Sequence, residues 1–187
     1  MPLLALLAPS SSAGDNGSLF SAGANVELAN FALLNQPTPA IAFGIRTQYM
    51  LSTPAFVEVA AAFGDFEESF DTPGGTGSFA VGLWWVELGF GHSLFSIGNS
   101  MDVLAQVGTG ITTFSHDDLV IPLGATGSYT LSRASETHMH YFIGLRATQR
   151  LTNNVSLFAG SNLKFLAPLS APQPSHTFIG GITVDIL

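Results

Sequence analysis

The chain has 187 residues, of which 47% are hydrophobic and 10% are charged, and its formal net charge is −8. An average soluble domain has about 25% charged residues, so this composition leaves few charges for a water-exposed surface. The negative charge argues against nucleic acid as a partner, because neutralising phosphates requires clustered Lys and Arg. The absence of cysteine excludes disulfides and thiolate metal sites and fits an oxidising compartment.

The apolar stretches of the sequence are short. A membrane-spanning helix needs about 20 consecutive apolar residues, and Gly, Ser, Thr or Asn interrupts every hydrophobic stretch before that length. Lipid admits only helices and closed barrels as spanning structures, because backbone polar groups must be paired there. High apolar content without such a helix therefore predicts a β-barrel.

The N-terminal residues 1–16 are expected to lie outside the barrel. A short apolar core at residues 3–8, followed by small residues, is typical of the end of a secretory signal peptide, although no basic segment precedes it. We interpret residues 1–16 as a signal remnant or a disordered N-terminus, and residues 17–187 as the barrel domain.

Beyond residue 17 the sequence alternates between apolar and polar residues with a period of two. Clusters of Gly, Pro, Asn, Asp and Ser interrupt it, as expected for strands joined by turns. The nine alternating runs are residues 18–33, 40–51, 56–70, 78–91, 102–114, 119–132, 138–151, 155–166 and 177–187. Each pattern favours a strand, and no amphipathic helix competes.

Nine runs conflict with the even strand numbers of bacterial barrels. Eight strands result if residues 119–132 belong to a long outside loop, which we favour, or if residues 18–33 form a plug in the lumen. Ten strands would need a pair that the pattern does not show. The prediction is an all-β, closed, antiparallel, up-and-down transmembrane β-barrel of eight strands.

The two faces of these strands differ in composition. One face is rich in Phe, Ile, Leu and Val and suits lipid, whereas the other carries mostly small residues, which suit the narrow interior of a barrel of about eight strands. Charges of both signs also lie on the second face, where they can pair across the lumen. The predicted lumen charge network comprises Glu27, Arg46, Glu58, Glu87, Arg146, Arg150 and Lys164.

The fourth run needs an irregularity to fit this scheme. It places Phe79, Val81, Leu83 and Trp85 on one face, so a bulge at Trp84–Trp85 would return Glu87 to the polar face. Aromatic residues near the strand ends are expected to form girdles at the membrane interfaces. They are Phe20, Tyr49, Phe70, Trp84, Trp85, Phe90, Tyr129, Tyr141 and Phe165.

The five histidines are the main candidates for chemistry. They are His92, His116, His138, His140 and His176. His138 and His140 share a strand face and could bind one metal ion, but further ligands are not identifiable, and we predict neither a metal nor a cofactor. A hydrolase would need Ser, His and an acid within mutual reach, and His92, Ser93 and Glu87 are the candidates. The chain lacks the His-x-Ser-Asn pattern of lipid A deacylases, and we predict no catalytic residue.

The segment from Tyr141 to Phe165, YFIGLRATQRLTNNVSLFAGSNLKF, resembles the strand, short turn and strand unit of OmpA-type and OmpX-type barrels. The segment from Ile41 to Phe63 repeats this form, and residues 177–187 resemble the closing strand of the family, except that Leu187 replaces the usual aromatic residue. The resemblance implies a bacterial outer-membrane barrel with short periplasmic turns and longer outside loops. It implies no particular function.

These observations favour a non-enzymatic protein of the cell envelope. It would have a structural or interaction role through surface-exposed loops. We expect the polar and charged network to fill the lumen. A narrow porin-like pore is the competing interpretation. Membrane lipid and other envelope or surface proteins are the expected partners. The alternatives are a lipid A hydrolase-like enzyme of the same membrane and a soluble all-β binding module.

Overall fold

The computed structural model describes residues 19–32, 37–52, 54–72, 75–98, 100–123, 127–167 and 174–186, and its regular elements are ten β-strands. The strands are β1 (Phe20–Ala32), β2 (Pro37–Ser52), β3 (Ala55–Thr72), β4 (Gly75–Ile97), β5 (Met101–His116), β6 (Leu119–Pro122), β7 (Ser128–Leu131), β8 (Ala134–Arg150), β9 (Val155–Ala167) and β10 (Pro174–Asp185). A helix long and apolar enough to cross a membrane does not occur among these residues. The predicted signal remnant at residues 1–16 lies outside the described residues.

Eight of the strands form a closed antiparallel barrel in the order β1-β2-β3-β4-β5-β8-β9-β10, with β10 pairing back to β1. The two remaining strands, β6 and β7, pair only with each other. The predicted eight-stranded barrel is therefore confirmed, and β6 and β7 form a hairpin in the connection between β5 and β8. The alternative in which residues 18–33 plug the lumen is wrong, because β1 is a barrel strand.

The connections divide the barrel into two ends. We call the end with the links 53–54, 98–100 and 151–154 the turn end, and the opposite end the loop end. Gly98 lies in one of these turns with φ of +64°, a backbone conformation that favours glycine. At the loop end, β3 and β4 remain paired up to Thr72 and Gly75, beyond the point where β2 leaves β3 at Asp65. The second run was predicted to begin at residue 40, whereas β2 begins at Pro37.

The outer surface of the barrel is apolar. Ile45 and Phe63 are each 66% exposed, and Leu145 is 57% exposed. A sandwich or a ligand-carrying soluble barrel would place such side chains inside, whereas here the closed sheet turns them outward. The other sheet among the described residues is the two-stranded β6–β7 sheet, which lies at the loop end. Exposed large apolar side chains occur on all eight barrel strands. An extended apolar surface is typical of a membrane or partner interface. The alternative of a soluble binding module is therefore contradicted.

Strand β4 departs from the predicted distribution of faces. Its register against β3 is continuous from His92 to Gly75, so the predicted bulge at Trp84–Trp85 is wrong, and the irregularity lies between Ser93 and Phe95 against β5. Trp85 is buried inside the barrel together with Val81 and Leu83, while Trp84 faces outward.

Two other predicted girdle residues also lie elsewhere. Phe70 lines a cavity at the loop end. Tyr129 belongs to the β6–β7 hairpin, outside the barrel. The prediction failed for these positions because it treated an aromatic side chain near a strand end as facing lipid.

The interior of the barrel has an apolar layer towards the loop end and a polar cluster towards its middle. The apolar layer consists of Ala29, Ala40, Ala42, Ala62, Phe66, Val81, Leu83, Trp85, Phe114 and Leu166. Trp85 marks the junction of the two, because its ring centroid lies 4.2 Å from Lys164 Nζ of the polar cluster. Val81, Leu83 and Trp85 of β4 point inward because they pack in this layer.

Candidate functional site

The buried polar cluster brings together charges from six different barrel strands. Its charged members are Glu27 on β1, Arg46 on β2, Glu58 on β3, Glu87 on β4, Arg146 on β8 and Lys164 on β9, all buried. Each lies on the inward face of its strand, as the alternation of side chains along a strand requires. Three carboxylates face three cations, so the formal charges of the cluster cancel.

Glu58 connects the two arginines of the cluster. Arg146 donates a pair of hydrogen bonds to it, from Nη1 to Oε2 at 2.6 Å and from Nη2 to Oε1 at 2.7 Å. Arg46 Nη1 donates to the same Oε1 at 3.0 Å. Such a two-pronged arginine–carboxylate pair is among the strongest polar contacts in proteins, and here it ties β2, β3 and β8 together across the lumen.

The second part of the cluster surrounds Glu27 and Glu87. Asn25 Nδ2 donates to Glu27 Oε1 at 2.8 Å, and Arg46 Nη2 lies 3.4 Å from the same oxygen. Lys164 Nζ lies 2.6 Å from Glu87 Oε1 and 3.7 Å from Glu27 Oε2. The only lysine of the chain therefore lies between two buried carboxylates.

Other polar side chains complete the cluster, and the sequence prediction missed their part in it. His140 Nε2 lies 3.0 Å from Glu87 Oε1, and its Nδ1 lies 2.9 Å from Thr112 Oγ1. Arg146 Nη2 donates to Gln106 Oε1 at 2.8 Å, and Gln106 Nε2 donates to Asn162 Oδ1 at 2.9 Å. Their positions on inward faces were readable from the alternation, but their pairing depends on closure of the barrel.

Aromatic rings pack against the cations of the cluster. The guanidinium carbons of Arg46 and Arg146 lie 4.7 Å and 5.1 Å from the ring centroid of Phe158. Cations near a ring face are attracted by its quadrupole. Phe158 therefore packs beside the two arginines and stabilises their positive charges through cation–π interactions.

Arg150 does not join the cluster. Its side chain is exposed at the last residue of β8, at the turn end of the barrel. The prediction placed Arg150 in the lumen from its alternation with Arg146, but alternation fixes only the face of a strand and not the depth along it. The other six predicted residues lie together inside the barrel.

The histidine candidates do not assemble a metal site in the part of the chain that the structure describes. His138 lies 3.5 Å from the exposed Glu136, whereas His140 bonds inward to Glu87. These two histidines therefore have different partners.

The residues considered for hydrolysis are also separated. Glu87 is buried in the lumen, whereas His92 is exposed on the outer face of the same strand, so the barrel wall stands between them. Another serine and histidine do meet on the outer surface, where Ser161 Oγ lies 2.6 Å from His176 Nε2. Among the described residues no carboxylate bonds to His176, so the third member of a Ser–His–acid set is missing there.

Several solved structures are similar to this chain in fold. Neisserial surface protein A is 14% identical, with a TM-score of 0.66 over 90% of this chain and 98% of that chain. The outer membrane protein OprG from Pseudomonas aeruginosa is 11% identical, with a TM-score of 0.50 over 88% of this chain and 91% of that chain. No protein-family model matches the chain, and no curated protein matches it. The chain thus has the fold of small eight-stranded outer-membrane barrels, as the sequence resemblance implied.

Proposed function

We propose that this chain, which has the fold of small outer-membrane barrels, spans a bacterial outer membrane as a closed, non-enzymatic barrel and acts through its loop end. One observation carries the proposal: six buried charges lie inside the barrel, and the outer surface between its ends is apolar. That arrangement is stable in lipid and unfavourable in water. The separation of Glu87 from His92 supports a role without catalysis.

The dimensions of the barrel agree with a membrane-spanning role. Its strands have 12 to 23 residues, and a transmembrane strand needs about 9–11. The excess lies mainly in β3 and β4, which continue beyond β2 at the loop end. In this proposal the turn end faces the periplasm, and the loop end, with the extended β3–β4 pair and the β6–β7 hairpin, faces the exterior.

The filled interior argues against a porin-like pore. The charged cluster crosses the lumen from β2 to β8, and the apolar layer with Trp85 lies on its loop-end side. Barrels of about eight strands have room for side chains but little more. Ions would have to displace buried, mutually bonded side chains, so we infer that the cluster closes the lumen.

The loop end provides the surface for interaction. Between residues 65 and 136 it carries the exposed acidic residues Asp65, Glu67, Asp71, Asp117, Asp118 and Glu136. Arg133 is the only Arg or Lys in that span. Membrane lipid and other envelope or surface proteins are the partner classes, and an acidic surface of this kind favours positively charged partner groups.

Planar-bilayer recording tests the closed lumen. We expect the purified chain to give no steady conductance steps above those of protein-free detergent. Trp85→Ala, which removes the largest fully buried side chain, should give more frequent openings than Trp84→Ala, which shortens the outward tryptophan beside it. Stable open channels in the unmodified protein would contradict the proposed closure.

A further inference from the structure

A cavity of about 440 Å³ opens at the loop end of the barrel. Its wall is mostly apolar and includes Phe70, Phe79, Val81, Phe114, Ile121 and Leu131. Small-molecule sites are typically concave, largely apolar and about 300–1,000 Å³ in volume. The cavity is therefore large enough for the apolar body of a small ligand.

The cavity is closed towards the interior of the barrel. Val81 and Phe114, which line it, are buried members of the apolar layer, and the charged cluster lies on the turn-end side of that layer. On the other side its wall is formed by Leu119 and Ile121 of β6 and Leu131 of β7. A ligand would enter between this hairpin and the barrel rim and would not pass through the barrel.

The polar side chains of the cavity wall are those of Glu68, Ser115, His116 and Glu136. Glu68 on β3 and Glu136 on β8 line it, together with His116, whose ring packs edge-on against Phe79. Arg133 is the nearby cation in the sequence, and its Nε lies 3.9 Å from Asp117 Oδ1 in an exposed pair. Glu136 is exposed and lies 3.5 Å from His138 Nε2, whereas Glu68 is buried in the wall. An ammonium group at this cavity would be attracted by these carboxylates, and an anionic ligand would be repelled by them.

We propose that this cavity binds a cationic amphiphile, a small molecule with an apolar body and an ammonium group. The apolar body contacts the phenylalanines and the hairpin residues, and the ammonium group lies beside Glu68 and Glu136. This inference rests on the proposed function in one respect, because it requires the loop end to face water outside the membrane. The acyl chain of a lipid with an anionic headgroup is the competing occupant.

Three probes with the same phenylbutyl body separate charge from hydrophobicity. They are 4-phenylbutylamine, which is protonated at neutral pH, uncharged 4-phenylbutanol and anionic 4-phenylbutyrate. Binding is measured by calorimetric titration of the full chain in lipid nanodiscs, with empty nanodiscs subtracted. We expect the amine to bind most tightly and the butyrate most weakly, with about tenfold between them because of the opposite contacts with the carboxylates.

Two hairpin variants place the binding in the cavity. Leu131→Arg adds a cation to the cavity wall and should weaken amine binding about tenfold through lost apolar contact and repulsion. Val120→Arg puts the same charge at an exposed hairpin residue that does not line the cavity, and should leave the affinity nearly unchanged. Glu136→Gln should weaken binding of the amine about threefold, the size of an exposed ion pair, and should leave binding of the alcohol unchanged.

The outcomes distinguish this inference from the proposed function. Equal binding of the three probes, tightest binding of the butyrate, or equal effects of the two hairpin variants would overturn the cationic site. Heat-modifiable migration of the nanodisc sample in detergent gels reports separately that the barrel is folded in lipid. A folded barrel that fails the probe experiment therefore rejects the ligand and retains the barrel, whereas loss of folding in lipid rejects the proposed function itself.

Discussion

Replacing Glu58 with glutamine is expected to lower the free energy of unfolding by about 3–5 kcal/mol, the usual cost of removing one partner from a buried ion pair. Glu58 accepts hydrogen bonds from both Arg46 and Arg146, and all three side chains are buried. Glutamine retains the shape of the side chain but leaves two buried guanidinium groups without their shared carboxylate. Urea unfolding of the chain in phospholipid vesicles measures the loss.

Two comparisons make this test specific. Glu67→Gln changes an exposed carboxylate on the same strand, and the expected loss is within about 0.5 kcal/mol. The double variant Glu58→Gln with Arg146→Gln removes one charge of each sign, so its loss should be smaller than the sum of the two single losses. A loss below about 1 kcal/mol in the single variant, or additive losses in the double variant, would show that the cluster does not stabilise the barrel as an ion-pair network.

Replacing Ile45 with arginine is expected to lower the free energy of unfolding in vesicles by about 2–4 kcal/mol, the cost of a lipid-facing Arg near the bilayer midplane. Ile45 lies near the middle of the outward residues of β2 that run from Ile41 to Leu51, and its side chain is largely exposed. In water, such a substitution would exchange an exposed apolar group for a hydrated charge. The same unfolding measurement gives the size and the sign of the effect.

The depth along β2 provides the control. Leu51 also faces outward but lies next to the end of the strand at the turn end. Leu51→Arg should cost only about 0–1 kcal/mol, because the penalty falls towards the interface. Equal effects at both positions, or a stabilising effect of Ile45→Arg, would mean that this surface does not contact hydrocarbon.

The strands and their faces were largely predictable from the sequence. Alternation with a period of two places Arg46, Glu58 and Arg146 on inward faces, because each residue along a strand points to the opposite side from its neighbour. The long connection at residues 119–132 was also predictable, because eight of the nine runs suffice for an even-numbered barrel. These inferences need only local patterns and the constraint of closure.

Strand β4 shows the limit of assigning faces by hydrophobicity. Val81, Leu83, Trp85 and Glu87 share one face by simple alternation, and the structure keeps them together inside. The prediction introduced a bulge because it assumed that every apolar face contacts lipid. The interior contains an apolar layer as well as a charged cluster, so that assumption is wrong. The unbroken period of two predicts the faces of these residues correctly.

The contacts within the cluster were beyond sequence reasoning. Glu58 and Arg146 are 88 residues apart, and Glu87 and His140 are 53 apart. Which inward side chains meet depends on strand order, tilt and register, which are properties of the closed barrel. Arg150 illustrates this dependence, since it shares a face with Arg146 but lies too far towards the turn end to reach the cluster.

The two tryptophans test the central claim most directly, because they are adjacent in sequence and point to opposite sides of the barrel wall. Trp84 is 41% exposed and Trp85 is 1% exposed, and the chain has no other tryptophan. The measurement is fluorescence quenching by phospholipids with brominated acyl chains, using Trp85→Phe to observe Trp84 and Trp84→Phe to observe Trp85. Strong quenching of Trp84 with little quenching of Trp85 is the predicted result. Quenching of Trp85 alone, or of neither residue, would contradict a barrel with its apolar face in lipid and its charges enclosed.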